Sequence, residues 1–425
     1  MSDLITLSTQ IIDEGAPIFP VRINNELSEI ADGVMVVESF SNVVAITTEE
    51  GLFLSDTSGA ATGGASVKSL RAWSDAAFHT ILYTHGHIDH VGGAAAFVAN
   101  AAALGHRAPR FVGHENLPAR FERYDLTAGY NTVINRRQFG ESRRMSIGGD
   151  ERFLPKGTPA PDLTFRDRME LPVGGVQMEL RHAKGETDDH AWAWLPERKM
   201  ILTGDFFIWN FPNAGNPQKV QRFPREWAAA LREMSGLGAE LLVPAHGVPI
   251  AGADRIRMVL DDTASALETL VHGTLEMMNA GARLDAILHS LKLPAETLAK
   301  PYLRGLYDEP EFVIHNIWRL YGGWYDGNPS RLKPAPDSAL AAELVKLSGG
   351  VEVLVGRARE LAESNDFRLA CHLIEMAVLA DPENKRVHAA RAAIYTRRRS
   401  SETSLMAHGI FGFAASESEA KATKT

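Results

Sequence analysis

The densest group of chemically active side chains in this sequence lies between residues 85 and 90. It contains three histidines and one aspartate, namely His85, His87, Asp89 and His90. Imidazole nitrogens and carboxylate oxygens are the donors that Zn²⁺ and similar divalent ions take in proteins. His85 and His87 can point to one side while Asp89 and His90 point to another, so a single ion would not easily use all four. The spacing therefore predicts two adjacent metal ions.

The residues on either side of this group predict how it is held. Residues 80–83 form a short apolar run typical of a buried strand. Residues 91–104 are rich in alanine and lack proline, which favours a helix. The donors would then lie on a strand-to-helix turn, within the alternation of strands and helices of an α/β fold. The alternative is that Asp89 only caps the helix beside incidental histidines.

The segment Thr84-His-Gly-His-Ile-Asp-His resembles the HxHxDH signature of the metallo-β-lactamase fold superfamily. The resemblance implies a four-layer αββα sandwich as the catalytic domain, for which we predict residues 1–252. It also implies a further ligand near Gly185, where most members have Gly-His-Thr. Glu186 stands at that position, which is similar to the Gly-Thr-Glu turn of alkylsulfatase-type members. His190 is the competing candidate for the same ligand position.

Two more turns are similar to superfamily ligand positions. Asp205 follows an apolar strand in Leu-Thr-Gly-Asp, and the superfamily's carboxylate at this place bridges two metals. His246, in Pro-Ala-His-Gly, is similar to the last metal histidine. Asp89 and Asp205 are the predicted catalytic carboxylates. The resemblance implies one metal on His85, His87 and Glu186, a second on Asp89, His90 and His246, and Asp205 between them.

A long stretch between Asp205 and residue 227 is dense in Asn, Pro and aromatic residues. Long ordered loops beside a site are usually functional, so we predict that this one forms the substrate-facing wall. The alternative is that its polar groups only satisfy its own backbone. Residues 140–162 are predicted to form a second loop that overhangs the site. The predicted substrate contacts are Asn210, Asn213, Lys219 and Arg222.

From residue 253 onward the pattern predicts helix after helix. The run Gly323-Trp-Tyr-Asp-Gly-Asn-Pro resembles the alkylsulfatase dimerisation domain, which implies an α-helical domain at 253–412 and a homodimer. The aromatic residues Trp318 to Tyr325 would be buried against the partner or against the chain's own first domain. Residues 413–425 are small and polar, and we predict a disordered tail. We expect no counterpart of the sterol-carrier-like domain that usually follows in alkylsulfatases.

Composition narrows the partners and the compartment. A net charge of −9 and a pI near 5.9 argue against nucleic acid or an anionic membrane as the main partner. Cys371 is the single cysteine, so the metal donors must come from His, Asp and Glu. The first residues lack the pattern of a signal peptide, and no run approaches the ~18 apolar residues of a membrane span. We therefore predict a cytoplasmic protein with a small-molecule substrate.

These features predict a dinuclear hydrolase that carries two divalent ions, for which we expect Zn²⁺. Such ions lower the pKa of a bound water from about 15.7 toward ~7 and so provide a bridging hydroxide nucleophile. The resemblance favours sulfate esters as substrates, with carboxylic esters or lactones as the alternative. Less favoured are an oxygenase with one iron and a non-enzymatic scaffold. A glutamate in the ligand set also predicts some tolerance for Mn²⁺ or Fe²⁺.

Overall fold

Two β-sheets form the framework of this computed structural model, which describes residues 3–140 and 152–424. The first sheet has seven strands in chain order: β1 (Leu27–Ala31), β2 (Val34–Val37), β3 (Val43–Thr48), β4 (Gly51–Ser55), β5 (Phe78–Leu82), β6 (Arg110–His114) and β7 (Leu163–Phe165). The second has six, also adjacent in chain order: β8 (Arg168–Val173), β9 (Val176–His182), β10 (Ala191–Leu195), β11 (Met200–Gly204), β12 (Leu241–Pro244) and β13 (Ile250–Ala251).

Helices surround and follow the sheets. Those up to the end of the second sheet are α1 (Asp3–Asp13), α2 (Gly63–Trp73), α3 (Ile88–Val91), α4 (Ala94–Ala103), α5 (Leu117–Leu126), α6 (Ala128–Phe139) and α7 (Pro224–Ser235). Later in the chain come α8 (Ala253–Asn279), α9 (Leu284–Ser290), α10 (Ala295–Ala299), α11 (Pro310–Gly322), α12 (Asp337–Ser348), α13 (Val351–Glu363), α14 (Phe367–Ala380), α15 (Lys385–Ser400) and α16 (Leu405–Thr423). Short 3₁₀ turns occupy Pro196–Arg198 and Pro329–Arg331.

The predicted α/β sandwich is confirmed. Side chains of α2, α4 and α5, among them Val67, Phe97 and Phe121, pack into one core with the first sheet. On the second sheet, α8 contacts β12 and β13 and packs against α7. The Asn42 side-chain amide joins the two sheets, because it donates to the carbonyls of Pro244 (3.1 Å) and Gly247 (2.8 Å).

Parallel pairing gathers the turns that carry chemistry. β4 and β5 are parallel, with Ser55 opposite Leu82, and β11 and β12 are also parallel. Parallel strands end at the same edge of a sheet, so the turns that follow each pair are neighbours. The segments after β4, β5, β11 and β12 are the ones that contain Asp56, the 85–90 group, Asp205 and His246.

Two predicted elements are divided in the structure. The stretch 164–170, which the pattern predicts as one strand, is split between β7 in the first sheet and β8 in the second. The predicted helix at 91–104 is interrupted between α3 and α4 by Gly92 and Gly93. A Cβ at Gly93 would lie 2.0 Å from the Thr57 carbonyl oxygen, so only glycine fits there. Residues 141–151 of the predicted overhanging loop lie outside the described residues.

The described residues form two compact units, and the first extends further than residue 252. It keeps α8 and continues through residues 286–322, because α8 packs against both α7 and α11. The second unit contains residues 133–140, 282–285 and those from 323 onward. The predicted catalytic domain thus ends earlier in the sequence than the unit that surrounds its donors.

The second unit is helical, and its last helix differs from the predicted disordered tail. α16 reaches Thr423, with Ala415 buried in the core that α13, α14 and α15 share. Ser418 is fully buried and accepts a hydrogen bond from Arg391 Nη1 at 2.9 Å. Small residues therefore serve close packing here. Among the described residues, none of the helices combines the length and the apolar character that a membrane crossing requires.

Candidate active site

The turn after β5 is held by hydrogen bonds to Asp56, which follows β4. Its carboxylate accepts hydrogen bonds from the Thr84 N–H and the Thr84 hydroxyl, each at 2.8 Å. The second carboxylate oxygen also lies 2.8 Å from Nδ1 of His90. Asp56 has a left-handed backbone (φ 61°), a conformation that non-glycine residues adopt at a cost and that clusters at functional sites. Asp56 thus joins the end of β4 to the turn that carries the donors.

A buried ion pair supports the same turn near Gly86. Asp189 accepts the Gly86 N–H at 2.9 Å and pairs with Arg120 Nε at 2.7 Å. A Cβ at Gly86 would lie 2.6 Å from Arg120 Cδ, so the turn and the guanidinium are in close contact. Arg120 is 3% exposed. Its role as an internal support was not apparent from the sequence, where it is one of several arginines on a helix.

The predicted ligands come together as two groups of donor atoms. The first donor group is His85, His87 and Glu186: His85 Nε2 lies 2.9 Å from His87 Nδ1, which lies 3.4 Å from Glu186 Oε1. The second donor group is Asp89, His90 and His246: Asp89 Oδ2 lies 3.6 Å from His90 Nε2 and 3.4 Å from His246 Nε2.

Asp205 lies between the two groups. Its Oδ2 is 3.9 Å from Nε2 of His85, on the first donor group's side. Its Oδ1 is 3.5 Å from the Nε2 atoms of both His90 and His246. One carboxylate therefore faces donors of both groups, which is the arrangement that a bridging ligand requires.

The donor set fits divalent metal ions. Within the described residues, three combinations of side chains bring one ligand atom each to within 4.8 Å of one another: His85–His87–Glu186, His85–His90–Asp205 and Asp89–His90–His246. Glu186 Oε2, Asp205 Oδ1 and His90 Nε2 are buried without a hydrogen-bond partner among the described residues. Buried polar atoms are normally satisfied, and metal ions would satisfy these three.

His190, the alternative to Glu186, is engaged elsewhere. Its Nε2 accepts the backbone N–H of Asp205 at 3.1 Å, and its ring stacks on Phe206 with centroids 4.1 Å apart. Burial lowers its pKa to about 3, so the ring is neutral and can accept that hydrogen bond. His190 thereby orients the Asp205 backbone, while Glu186 extends its carboxylate toward His87.

Burial and the neighbouring carboxylates shift the pKa values of the donor side chains in different directions. Burial lowers the pKa of His85 and of His87 well below the ordinary value, which keeps both rings neutral and able to donate electron pairs. Burial also disfavours a charged His90, but the carboxylates of Asp205 and Asp56 raise its pKa well above the usual range. For Glu186, burial and the neighbouring Asp205 both raise the pKa, because each disfavours the charged carboxylate. Cations would relieve this crowding of carboxylates.

We call residues 206–222 the wall loop, and its predicted contacts fall in different places. Asn213 donates from its amide to Glu186 Oε1, and Arg222 Nη2 lies 3.5 Å from the same oxygen. Lys219 is half-buried over the Phe153 ring, where burial and the nearby Arg222 lower its pKa to about 7. The Asn210 amide donates to its own loop, at the Ile208 carbonyl (3.4 Å).

Two family models match the chain in succession. Residues 36–246 match the metallo-β-lactamase superfamily, and residues 283–421 match the alkyl sulfatase dimerisation family. The chain thus contains a metallo-β-lactamase segment followed by an alkyl sulfatase dimerisation segment. The resemblance stated from the HxHxDH segment and from the Gly-Trp-Tyr-Asp-Gly-Asn-Pro run is confirmed.

The similar curated proteins are alkylsulfatases. A linear primary-alkylsulfatase from Pseudomonas sp. (strain ATCC 19151) is 26% identical over 83% of this chain and 69% of its own length. An (R)-specific secondary-alkylsulfatase from Pseudomonas sp. is 27% identical over 83% of this chain and 56% of its own length. The solved stereoselective inverting sec-alkylsulfatase Pisa1 from Pseudomonas sp. shares the fold, with a TM-score of 0.81, 24% identity, and coverage of 94% of this chain and 66% of that one. This chain thus spans between about half and about two thirds of these proteins.

A later part of the chain, which was not among the predicted site residues, lies close to the donor groups. Tyr307 lies close enough for burial and the charges of Glu186 and Asp89 to raise its pKa well above the ordinary value. Asp308 beside it is fully buried and bonded to the wall loop. Both residues lie beyond the predicted domain boundary at 252. Nothing in their local sequence pattern indicates a contact with a loop ninety residues earlier.

Proposed function

We propose that this protein is a metal-dependent hydrolase of sulfate esters. The observation that carries the proposal is the pair of donor groups with positively charged side chains next to them. Arg222 and Lys219 come from the wall loop, and Arg222 lies 3.5 Å from Glu186. Guanidinium groups bind tetrahedral oxyanions through several parallel hydrogen bonds. The alkylsulfatase relatives support sulfate as the group that is bound.

The proposed cofactor is a pair of divalent ions, with Zn²⁺ as the expected metal. His85, His87 and Glu186 would hold one, Asp89, His90 and His246 the other, and Asp205 would contact both. When bound, such ions acidify water and neutralise negative charge on an ester. Glu186 adds a hard oxygen donor to the first donor group, which supports a tolerance for Mn²⁺ or Fe²⁺.

The side chains of the chain itself would bind and orient the ester. Arg222 is buried, and its Nη1 is anchored on the Val220 carbonyl at 3.0 Å, so its charge is fixed in place. Asn213 holds the Glu186 oxygen that Arg222 also faces. Lys219 adds a second positive charge on the same loop. A preorganised positive wall stabilises the charge that a departing sulfate carries.

We also propose that the protein works as a cytoplasmic homodimer through its helical region. Several large apolar side chains there are exposed, including Trp324 (70%) and Leu347 (83%). Exposed apolar surface of this kind marks a protein interface. The match to the alkyl sulfatase dimerisation family at 283–421 supports this proposal. Sedimentation should give a dimer at micromolar concentration, and Trp324→Asp should weaken it without altering the metal content.

The test of the proposed reaction is a substrate screen with protein reconstituted in Zn²⁺, Mn²⁺ or Fe²⁺. We expect sulfate release from a medium-chain alkyl sulfate, loss of that activity with a chelator, and recovery with added metal. Alkyl phosphates, acyl esters and lactones of matched chain length serve as comparisons. Activity on acyl esters or lactones alone would contradict the proposal.

A further inference from the structure

The wall loop is bonded along its length to a segment about ninety residues later, residues 304–316, which we call the brace segment. Backbone contact begins at Phe211, whose N–H donates to the Arg304 carbonyl at 3.0 Å. It continues at Gly215, where a Cβ would lie 2.4 Å from the Phe312 carbonyl carbon. The wall loop and the brace segment belong to the same compact unit. The brace segment therefore packs directly on the backbone of the loop that carries Asn213 and Arg222.

Asp308 is the polar contact at the centre of the wall loop. Its Oδ2 accepts the N–H groups of Gly215 (2.6 Å) and Asn216 (3.1 Å), and its Oδ1 accepts the N–H of Glu309 (2.7 Å). The side chain is fully buried, and the ion pairs of the described residues include none with Asp308. A buried carboxylate is costly unless hydrogen bonds satisfy it, and here those bonds come mostly from the loop.

Asn316, on α11, holds the end of the wall loop. Its Oδ1 accepts the Arg222 N–H (3.3 Å) and the Gln221 side-chain amide (2.8 Å), while its Nδ2 donates to the Arg222 carbonyl (3.0 Å). The peptide groups on both sides of the Arg222 Cα are thus fixed by one buried amide. The Arg222 side chain can then extend only from a defined point toward Glu186.

We propose that Asp308 and Asn316 are positioning residues, which order the wall loop so that Asn213 and Arg222 meet Glu186. Asn213 lies two residues before the amide that Asp308 holds, and Arg222 is itself held by Asn316. Ordering the backbone of a loop costs conformational entropy for every residue that is fixed, so a loop of this length needs such anchors. The proposal deepens the sulfate ester hydrolase function and rests on it for its kinetic consequence.

The experiment compares Asp308→Asn and Asn316→Ala with His315→Ala, an exposed neighbour on the same helix. Hydrogen exchange by mass spectrometry should show faster exchange in residues 206–222 for the first two variants and no change for the control. With a medium-chain alkyl sulfate, KM should rise about tenfold while kcat changes by less than about twofold, the factor expected for one lost buried hydrogen bond. Bound metal per chain should stay at the wild-type value.

The exchange and kinetic results together test whether Asp308 and Asn316 position the wall loop. Unchanged exchange in the wall loop of both variants overturns the proposal, and so does faster exchange with an unchanged KM. Asp308→Asn preserves the shape of the side chain, so it remains informative if Asn316→Ala does not fold. If the wild-type chain releases no sulfate from any ester, the proposed function fails. Hydrogen exchange then decides the positioning proposal without reference to activity.

Discussion

The two donor groups differ in what surrounds them. In the first donor group, Glu186 is 3% exposed at its side chain and is contacted by Arg222 and Asn213 from the wall loop. In the second, Asp89 and His246 are 20% and 16% exposed, and the ion pairs of the described residues join neither to a lysine or an arginine. Support for the second group comes instead from Asp56, at the end of a sheet strand.

These different surroundings suggest different roles for the two donor groups. A guanidinium that shares the Glu186 carboxylate reduces the charge that this carboxylate offers to a cation, so the first donor group is coupled to whatever anion Arg222 binds. The single carboxylate of the second donor group, Asp89, has no arginine or lysine partner among the ion pairs of the described residues, and His90 is anchored on the sheet through Asp56. We infer that the first group adjusts to the substrate and that the second keeps a fixed geometry.

The largest effect should come from the residue that both groups share. Asp205→Ala removes the carboxylate that faces His85 and His90, and we expect activity to fall by roughly 10³-fold or more. Metal analysis should show fewer than one ion per chain after dialysis. Asp254→Ala is the matched control, since Asp254 is an exposed carboxylate on α8 that pairs with Arg257. Retention of two ions by Asp205→Ala would contradict the shared role.

Removing the support of the second donor group should have the next largest effect. Asp56→Asn weakens the hydrogen bond to His90, and outer partners of this kind change metal affinity by about 10–100-fold. In competition with a chromophoric chelator, the ion of the second donor group should be lost at a lower chelator concentration than in the wild type. The ion of the first donor group should be lost at the wild-type concentration. Equal weakening of both ions would show that the two groups are not independent.

Removing the contact between Arg222 and Glu186 in the first donor group should weaken anion binding more than metal binding. Arg222→Gln removes the charge beside Glu186, and the loss of a charge-assisted hydrogen bond costs about 1.5–3 kcal/mol. Inorganic sulfate, tested as a competitive inhibitor, should bind roughly tenfold more weakly or worse. Arg232→Gln, which alters an ion pair remote from the wall loop, is the control. Unchanged inhibition would remove Arg222 from the anion site.

The smallest predicted effect is a pH dependence that comes from Lys219. Burial and Arg222 lower its pKa to about 7, so the ammonium is charged below that pH and neutral above it. Inhibition by sulfate should therefore weaken by a few-fold as the pH rises from about 6 to about 8. Lys219→Arg should flatten this profile, since an arginine stays charged throughout. A profile that Lys219→Arg leaves unchanged would assign the titration to another group.

The convergence of these side chains could be predicted from the sequence because metal ligands are restricted in residue type and in their spacing within short segments. The 85–90 group and the Gly-Asp turn at Asp205 each lie directly after a strand, where local pattern is informative. Arg120 and Asp308 could not be predicted in the same way. Their roles depend on contacts between segments far apart in the chain, and their residue types are common on any helix or turn.

The strand boundaries show the same limit. The sequence of 164–170 predicts one strand, and both ends of this stretch are extended, but residues 166–167 bend and the pattern carries no information on which sheet each half joins. The transfer from β7 to β8 is decided by pairing partners, Val112 opposite Leu163 on one side and Arg181 opposite Arg168 on the other. For the same reason, a boundary at 252 follows the change from strands to helices, whereas packing keeps α8 with the first unit.

The amide of Asn42 and the passage from β7 to β8 tie the two sheets together at both ends of the sandwich. Some donors follow strands of the first sheet, such as His85, and others follow strands of the second, such as Asp205. These donors can separate only if the Asn42 hydrogen bonds break and the two sheets move apart. Fluctuations that open one sheet would therefore disturb both donor groups at once. Thermal unfolding of the sandwich should consequently abolish the proposed metal binding of both groups in one cooperative step, and bound metal should raise the melting temperature.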